Sequence, residues 1–310
     1  MDAEAQKVVR VFYYVSKLLG LVTFDYGEET WILRIIQCLI FSVIVLLNLG
    51  GIVSRFVSRF CSSVTSEGPA SFLIKMLVTS QNSVCYAVSN VMLFIYREKL
   101  NSAAETLIRS RMTCGKRSRV LQHVLVEIYL GLFITVMFIV LFDLEIHQPS
   151  PTPIVYGVTL FANYIVCLQF ASLLLLVKRN FEQINCRLEV VRIGDARGLQ
   201  AHHEAMCDTA HVLNTIYSPS ILLSISYILH ATVYSQFFIV LQIPGRSYSY
   251  NYLIVSYVLL KLFVLTLSCQ NTATEVSIFV TLPLLKCLVL LPLLKCLVIT
   301  AAEVSCHYRC

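Results

Sequence analysis

Long apolar runs, each broken by charged or by Pro- and Gly-containing stretches, recur along the whole chain. A run of about 20 apolar residues is long enough to cross a bilayer as an α-helix. On this basis we predict spans at 35–53, 71–95, 122–142, 154–177, 219–242 and 252–269. A seventh run, 279–300, contains an internal repeat. The pattern predicts an all-α, polytopic membrane protein with six to seven transmembrane helices.

Composition supports this prediction, because 57% of the residues are hydrophobic and only 14% are charged. A soluble fold could not bury so much apolar surface. The opening "MDAEAQKVVR" is polar, so we expect no cleaved secretory signal and a first span that acts as its own anchor. The twelve cysteines are scattered along the chain, mostly in spans and cytoplasmic loops, and structural disulfides are not expected.

The distribution of Lys and Arg predicts the orientation. These residues are concentrated in the amino-terminal segment 1–34 and in the loops 97–120 and 178–216. The alternate loops hold only Arg55, Arg59 and Arg246. Positively charged loops stay in the cytoplasm, so the amino terminus is predicted to be cytoplasmic. The net charge of +6 is explained by this topology and by contact with anionic lipid, so no nucleic-acid partner is expected.

The two basic loops carry helical patterns. Leu100, Ala103 and Leu107 follow helical spacing in the first loop. In the second loop, the helical positions are Phe181, Ile184, Leu188, Val191, Leu199, Met206, Ala210 and Leu213. We therefore expect the fourth span to continue into the cytoplasm as helix, and the amphipathic segments to pack on one another as an anchor region.

The fourth span and its exit, "ANYIVCLQFASLLLLVKRNFEQINCRLEVV", resemble insect gustatory receptors, in which a long apolar helix leads into a Phe-x-x-Leu-Asn pattern followed by Leu. The matching positions are Phe181, Ile184 in place of Leu, Asn185 and Leu188. Further matches are "KLLGLVTFDY" at 17–26, "LNTIYSPSILLSISYILHATVY" at 213–234 and "YVLLKLFVLTLSC", which ends at Cys269. The pieces occur in family order on a matching topology.

This resemblance implies a plasma-membrane, multi-pass taste receptor of sensory neurons, similar to insect odorant receptors. It implies a ligand-gated cation channel that opens on binding a small-molecule tastant and needs no cofactor. It also implies a homo- or hetero-tetramer with other gustatory receptors, with seventh helices lining a central pore. In such receptors the ligand enters between helices of the outer half.

The carboxy-terminal segment 278–310 departs from the family. The family's last helix carries a Thr-Tyr and then a Gln-Phe. This segment instead contains "LPLLKCLVLLPLLKCLV", which repeats part of the sequence of the sixth span. Lys286 and Lys295 are nine residues apart and so lie on opposite faces of a helix. A ring of lysines in a tetrameric pore would repel cations. We therefore predict that the polypeptide as written conducts poorly or not at all.

Polar and aromatic side chains in the outer halves of the spans are candidates for the ligand site, because they are otherwise costly in lipid. Tyr227, His230 and Tyr234 fall on one helical face of the fifth span. The other candidates are Gln81, Asn82, Tyr156, Asn163, Tyr164 and Tyr257. The alternative role for each of them is hydrogen bonding between helices.

Other classes of protein have less support. We find no nucleophile elbow, no His-Glu-x-x-His and no Walker loop, so an enzyme is not expected. His203, Cys207 and His211 have helical spacing but no evident fourth ligand, so we predict a solvated helix face and no metal. A secondary transporter would also be polytopic but should show inverted repeats. A degenerate, non-functional receptor is a further alternative that the missing pore motif leaves open.

Overall fold

The computed structural model describes residues 3–21, 31–61, 69–109, 120–146, 152–188 and 196–241, together with 256, 257, 259–261 and 266. Apart from 19–21 and Tyr96, these residues are helical, which confirms the all-α class. The elements are α1 (Ala3–Leu18), α2 (Trp31–Cys61), α3 (Pro69–Ile95), α4 (Arg97–Arg109), α5 (Val120–Ile146), α6 (Thr152–Leu188) and α7 (Ala196–Leu241). The described residues of the first five predicted spans fall within the longer helices α2, α3, α5, α6 and α7. Only a few positions of 252–269 are described, and 279–300 lies outside the described residues.

Four of these helices are long and apolar enough to cross a membrane, over Arg34–Ser54, Val120–Val140, Ile154–Ile184 and Ala201–Val233. The third of these segments, in α6, lies at the centre of the bundle: 94% of its apolar window is buried, because α6 packs against α1, α2, α3, α5 and α7. Among the described helices, α6 therefore has protein neighbours on most of its surface.

The helical extensions predicted for the loop 178–216 are confirmed. Helix α6 continues to Leu188, and α7 begins at Ala196 and passes Pro219 without ending, so the loop helix and the fifth span form one element of 46 residues. Among their predicted apolar positions, Met206, Ala210 and Leu213 of α7 are buried. Phe181 of α6 is also buried, and its ring contacts the ring of His203 at a centroid distance of 5.2 Å. Leu100 and Leu107 of α4 are fully buried, and α4 packs against α7.

Helix α1 was not predicted. Its apolar residues Ala5, Val8, Val9 and Phe12 are buried against α4, α5 and α6, and their spacing of i, i+3, i+4 and i+7 is the pattern of an amphipathic helix. The amino-terminal segment is polar on average, but the periodicity of its apolar residues predicts the helix.

Both ends of α1 are anchored. At its end the Leu21 amide donates to the Ser16 carbonyl (2.9 Å) and the Gly20 amide to Lys17 (3.2 Å), which is a Schellman motif with Gly20 at a φ of 66°. The Tyr86 hydroxyl of α3 donates to the Leu19 carbonyl (2.9 Å), and the Gln37 amide of α2 donates to the Leu21 carbonyl.

At the start of α1 the Glu4 carboxylate joins two other helices. It accepts from the Leu121 amide in the first turn of α5 (3.2 Å) and from the Arg179 guanidinium of α6 (2.9 Å). A carboxylate at a helix N-terminus satisfies a free backbone amide and interacts favourably with the helix dipole. We call this side of the bundle, with α1, α4, the first turn of α5 and the end of α6, the α1 end.

Candidate functional site

Two buried asparagines join α3 to α6. Asn163 Nδ2 donates to Asn82 Oδ1 (2.8 Å) and to the Asn82 carbonyl (3.0 Å), and Asn82 Nδ2 donates to the Thr159 hydroxyl (2.8 Å). Thr159 in turn donates to the carbonyl of Tyr156, one turn earlier in α6 (2.9 Å). Each amide nitrogen thus faces an acceptor, which fixes the orientation of both side chains.

In this orientation one acceptor of the asparagine pair receives no hydrogen bond. Asn163 Oδ1 is buried and has no hydrogen-bond partner among the residues that the structure describes. Rotating the amide would not help, because the oxygen would then face the two oxygens of Asn82. A buried acceptor without a partner is costly, so this atom is suited to a hydrogen-bond donor from a bound molecule or a water.

A second group of polar contacts joins α3 to α7. Gln81 Oε1 lies 2.8 Å from His230 Nδ1, and Gln81 Nε2 donates to the Ser226 hydroxyl (2.7 Å). His230 is exposed, in contrast to the buried Asn82 and Asn163. The Gln81–His230 pair therefore lies at the edge of the bundle and the asparagine pair lies inside it.

Tyrosines connect α7 and the sixth-span segment to α6. The Tyr156 and Tyr227 hydroxyls are 2.8 Å apart, and the Tyr257 hydroxyl donates to the Leu160 carbonyl. Tyr227 and His230, which were placed on one helical face, thus contact different helices. We use the term polar layer for the set Gln81, Asn82, Tyr156, Asn163, Tyr227, His230 and Tyr257.

The polar layer lies between the middle of the bundle and the side away from the α1 end. Asn82 is at the middle of α3, and Tyr156 and Asn163 lie 4 and 11 residues after Thr152, the first residue of α6, or about 6 and 16 Å along its axis. Hydrogen bonds from this layer reach α3, α6, α7 and Tyr257. A molecule bound here would therefore contact most of the bundle.

Comparison with known proteins identifies the family. The profile of the 7tm chemosensory receptor family matches residues 9–300. The chain belongs to this family of seven-transmembrane chemosensory receptors. The insect chemoreceptor resemblance seen in the sequence is confirmed at this level.

Two solved structures share the receptor's fold. They are the insect olfactory receptor OR5 from Machilis hrabei and the same protein in complex with eugenol. Each aligns with a TM-score of 0.68 at 13% identity and covers 87% of this chain, which corresponds to 80% and 81% of the respective OR5 chains. No curated protein sequence matches the chain.

Tyr164, another of the predicted candidates, makes a different contact in this receptor. Its hydroxyl donates to the Glu127 carboxylate of α5 (2.6 Å), and its ring lies 5.6 Å from the Tyr257 ring. Glu127 was not among the predicted site residues, although it is the only carboxylate in the predicted span 122–142. An acidic residue inside a span is the signal that should have singled it out.

Two glycines let α5 and α6 approach closely at this point. A Cβ atom on Gly131 would lie 2.6 Å from the Tyr164 ring, and one on Gly157 would lie 2.7 Å from Ile139. Small residues at helix contacts are the usual means of close packing in membranes. They place the ring of Tyr164 between α5 and the segment of Tyr257.

For several of the predicted site and motif residues the structure does not describe the side chain. Helix α7 includes Tyr234, and α6 includes the family-motif residues Asn185 and Leu188, but their side chains are not described; Cys269 lies outside the described residues. Phe181 and Ile184 are buried, which fits a packing role for the motif. Among the described residues no group of three or more His, Cys, Asp or Glu could hold a metal ion.

Proposed function

We propose that this receptor is a gustatory receptor subunit: a multi-pass protein of the sensory-neuron plasma membrane that binds a small-molecule tastant and contributes to a ligand-gated cation channel. Family membership supports the chemosensory role. The assembly is proposed to be a homo- or hetero-tetramer with other gustatory receptors, on the basis of the sequence resemblance. The amino terminus, and with it the α1 end, is proposed to be cytoplasmic because the basic loops lie there.

The polar layer is the observation that carries this proposal. Its side chains lie between the middle of the bundle and the side away from the α1 end, which the proposed orientation makes the outer side. Polar groups at this depth favour a site that takes small molecules with hydrogen-bonding groups. The structural relative from Machilis hrabei is known in complex with eugenol, a small phenol, which supports a ligand of similar size.

The candidate residues divide into two roles on this proposal. Asn82, Thr159 and the Asn163 nitrogen hold α3 to α6 and so position the site. Asn163 Oδ1, Gln81 and His230 are proposed to contact the ligand, because the first lacks a partner among the described residues and His230 is exposed.

The sixth span offers a route from the site to the pore. Tyr257 bonds to the Leu160 carbonyl of α6, and its ring packs on Tyr164, which is held by Glu127 of α5. A ligand that shifts α6 relative to α5 would therefore displace Tyr257, which belongs to the predicted sixth span. The repeat at 282–298 is proposed to make this chain a poor conductor by itself.

The test separates ligand binding from conduction. The receptor is expressed alone and together with a conducting gustatory subunit, and panels of tastants and of volatile odorants are applied while binding and cation current are recorded. We expect tastants to bind in both cases and current only with the partner subunit. Responses restricted to odorants would contradict the gustatory assignment, and uptake without current would favour a transporter.

Variants test the site itself. Replacing Gln81 and His230 by Leu should weaken tastant binding by at least tenfold, since each removes a hydrogen-bonding group worth about 1 kcal/mol. Leu222→Ala provides the control, because Leu222 is 64% exposed and lies on the same helix as His230. Equal binding by the double variant and the control would place the ligand elsewhere.

A further inference from the structure

Four helices each contribute one residue to a buried cluster beside the polar layer. The residues are Cys85 of α3, Cys167 of α6, Ser224 of α7 and Lys261 of the predicted sixth span, and each is at most 3% exposed. The Cys167 thiol contacts the Ser224 hydroxyl at 3.9 Å. Cys85 lies within electrostatic range of both Cys167 and Lys261. We call this set the lysine cluster.

The lysine cluster lies one helical turn from the polar layer. Each of its members is three or four residues from a member of the polar layer on the same helix, about 5–6 Å along the axis. The pairs are Asn82 and Cys85, Asn163 and Cys167, Tyr227 and Ser224, and Tyr257 and Lys261. The cluster member comes later in the chain except on α7, which runs in the opposite direction in the proposed topology. All four steps therefore lead to the same level, on the cytoplasmic side of the polar layer.

Lys261 has no anionic partner among the described residues. Its side chain is 2% exposed, and neither a hydrogen bond nor an ion pair joins it to another residue of the described ranges. Glu127 is the only carboxylate in the predicted spans, and it accepts from Tyr164 at 2.6 Å and lies 3.8 Å from His123. An unpaired charge in an apolar interior is costly. The predicted spans therefore offer Lys261 no second carboxylate, and its site is suited to an anion from outside the chain.

The other members of the lysine cluster add hydrogen-bond donors. Ser224 accepts from the Cys167 thiol, which leaves the hydroxyl proton of Ser224 available to an acceptor. The Cys85 thiol is a weaker donor. A carboxylate has two accepting oxygens and no proton, so it matches an ammonium and a hydroxyl together. A neutral amide matches them less well, because its NH₂ group would face these donors.

We propose that the lysine cluster binds the carboxylate of a small organic acid whose carbon skeleton lies along the polar layer. Lys261 pairs with the carboxylate, and Ser224 donates a second hydrogen bond to it. The proposal rests on the proposed function, because it takes the polar layer as the tastant site, and it names the chemical class of the tastant.

The test is equilibrium binding to the purified full-length receptor in detergent micelles, measured by isothermal titration calorimetry. The probes are benzoate, phenylacetate and hexanoate, each compared with its primary amide, which has the same skeleton and no charge. Hydrogen bonds to a charged group strengthen binding by about tenfold to a hundredfold. We expect at least one acid to bind more tightly than its amide by this factor. Equal binding of acid and amide in every pair would overturn the proposal.

Variants show whether Lys261 causes the preference. Lys261→Met removes the charge, keeps an unbranched apolar side chain and should lower the affinity for the acid to that for its amide. Lys99→Met is the matched control, because Lys99 is exposed on α4 and the same charge is lost. A preference that survives Lys261→Met, or that Lys99→Met also removes, would contradict the proposed site.

A second variant keeps the charge in place. Ser224→Ala should weaken binding of the acid by about threefold to tenfold, because one hydrogen bond is lost. It decides the question if Lys261→Met does not fold. Unchanged affinity for the acid would then overturn the proposal.

Salt distinguishes the buried site from binding at the surface. In 1 M sodium chloride we expect the preference for the acid to change little, because buried pairs are screened much less than exposed ones. Loss of the preference would mean that the acid binds at the surface or that chloride takes its place, and either result would overturn the carboxylate site.

Two outcomes separate this inference from the proposed function. Neutral tastants that bind while no acid is preferred would overturn the carboxylate site and leave the taste assignment standing. Acids that bind through Lys261 but evoke no current, even with a conducting partner subunit, would support the carboxylate site and count against the channel.

Discussion

Helices α2 and α6 were predicted in the same way, from apolar runs, but their surroundings are opposite. In α6, 94% of the apolar window is buried, whereas in α2 only 11% is buried. Large apolar residues of α2 such as Leu39 and Leu46 are exposed on the outside of the bundle, where lipid would cover them. Hydropathy predicts that a segment crosses the membrane but does not predict what lies around it.

The positions of buried polar residues distinguish the surroundings of α2 and α6 better than hydropathy does. Along α2 the polar side chains Gln37 and Asn48 are the buried ones, at 6% each. They are 11 residues apart and therefore lie within about 20° of each other on the helix. Asn48 accepts from Ser83 of α3 (3.1 Å), and Gln37 bonds to Leu21 at the end of α1. One polar stripe thus marks the face of α2 that contacts protein, whereas α6 bonds to several helices.

The largest difference should come from equal truncations on the two helices. Leu174→Ala on α6 removes a fully buried side chain and should destabilise the receptor by about 2–5 kcal/mol, through lost contacts and the cavity left behind. Leu46→Ala on α2, where Leu46 is 66% exposed, should cost less than about 0.5 kcal/mol. Unfolding of the purified protein in mixed micelles measures both. Similar losses would mean that α2 is covered by protein in the assembled receptor.

Some features of the fold and of the candidate site can be predicted from one sequence, and others cannot. The spans and the packing of Leu100 on α4 follow from periodicity, which a single sequence contains. The periodicity of Ala5, Val8, Val9 and Phe12 also indicates helix α1, but the helix was not predicted because the segment is polar on average. The partner of a polar residue is different: that Asn163 meets Asn82, and Tyr164 meets Glu127, depends on helix rotation, which one sequence does not specify.

A smaller effect is expected from alanine at two membrane glycines. Gly131→Ala would place its Cβ 2.6 Å from the Tyr164 ring, which cannot move freely because it packs on Tyr257. Overpacking of this kind should cost about 1–3 kcal/mol. Gly50 of α2 has no atom within 4 Å of the added Cβ, so Gly50→Ala should be neutral or stabilising by up to about 1 kcal/mol. The same unfolding assay decides, and a neutral Gly131→Ala would show that α5 and α6 are less closely packed.

The smallest effect concerns a single hydrogen bond between α6 and α7, the Tyr156–Tyr227 pair at 2.8 Å. In a double-mutant cycle, Tyr156→Phe and Tyr227→Phe should each destabilise the receptor, and the double variant should lose less than the sum because both remove one bond. Hydrogen bonds between membrane helices average about 0.6 kcal/mol in such cycles. Tyr129→Phe serves as the control, since Tyr129 is 71% exposed on α5 and should show no coupling to either residue. A coupling energy of zero between Tyr156 and Tyr227 would mean that this bond does not join the two helices, and the polar layer would then hold α6 mainly through the asparagines.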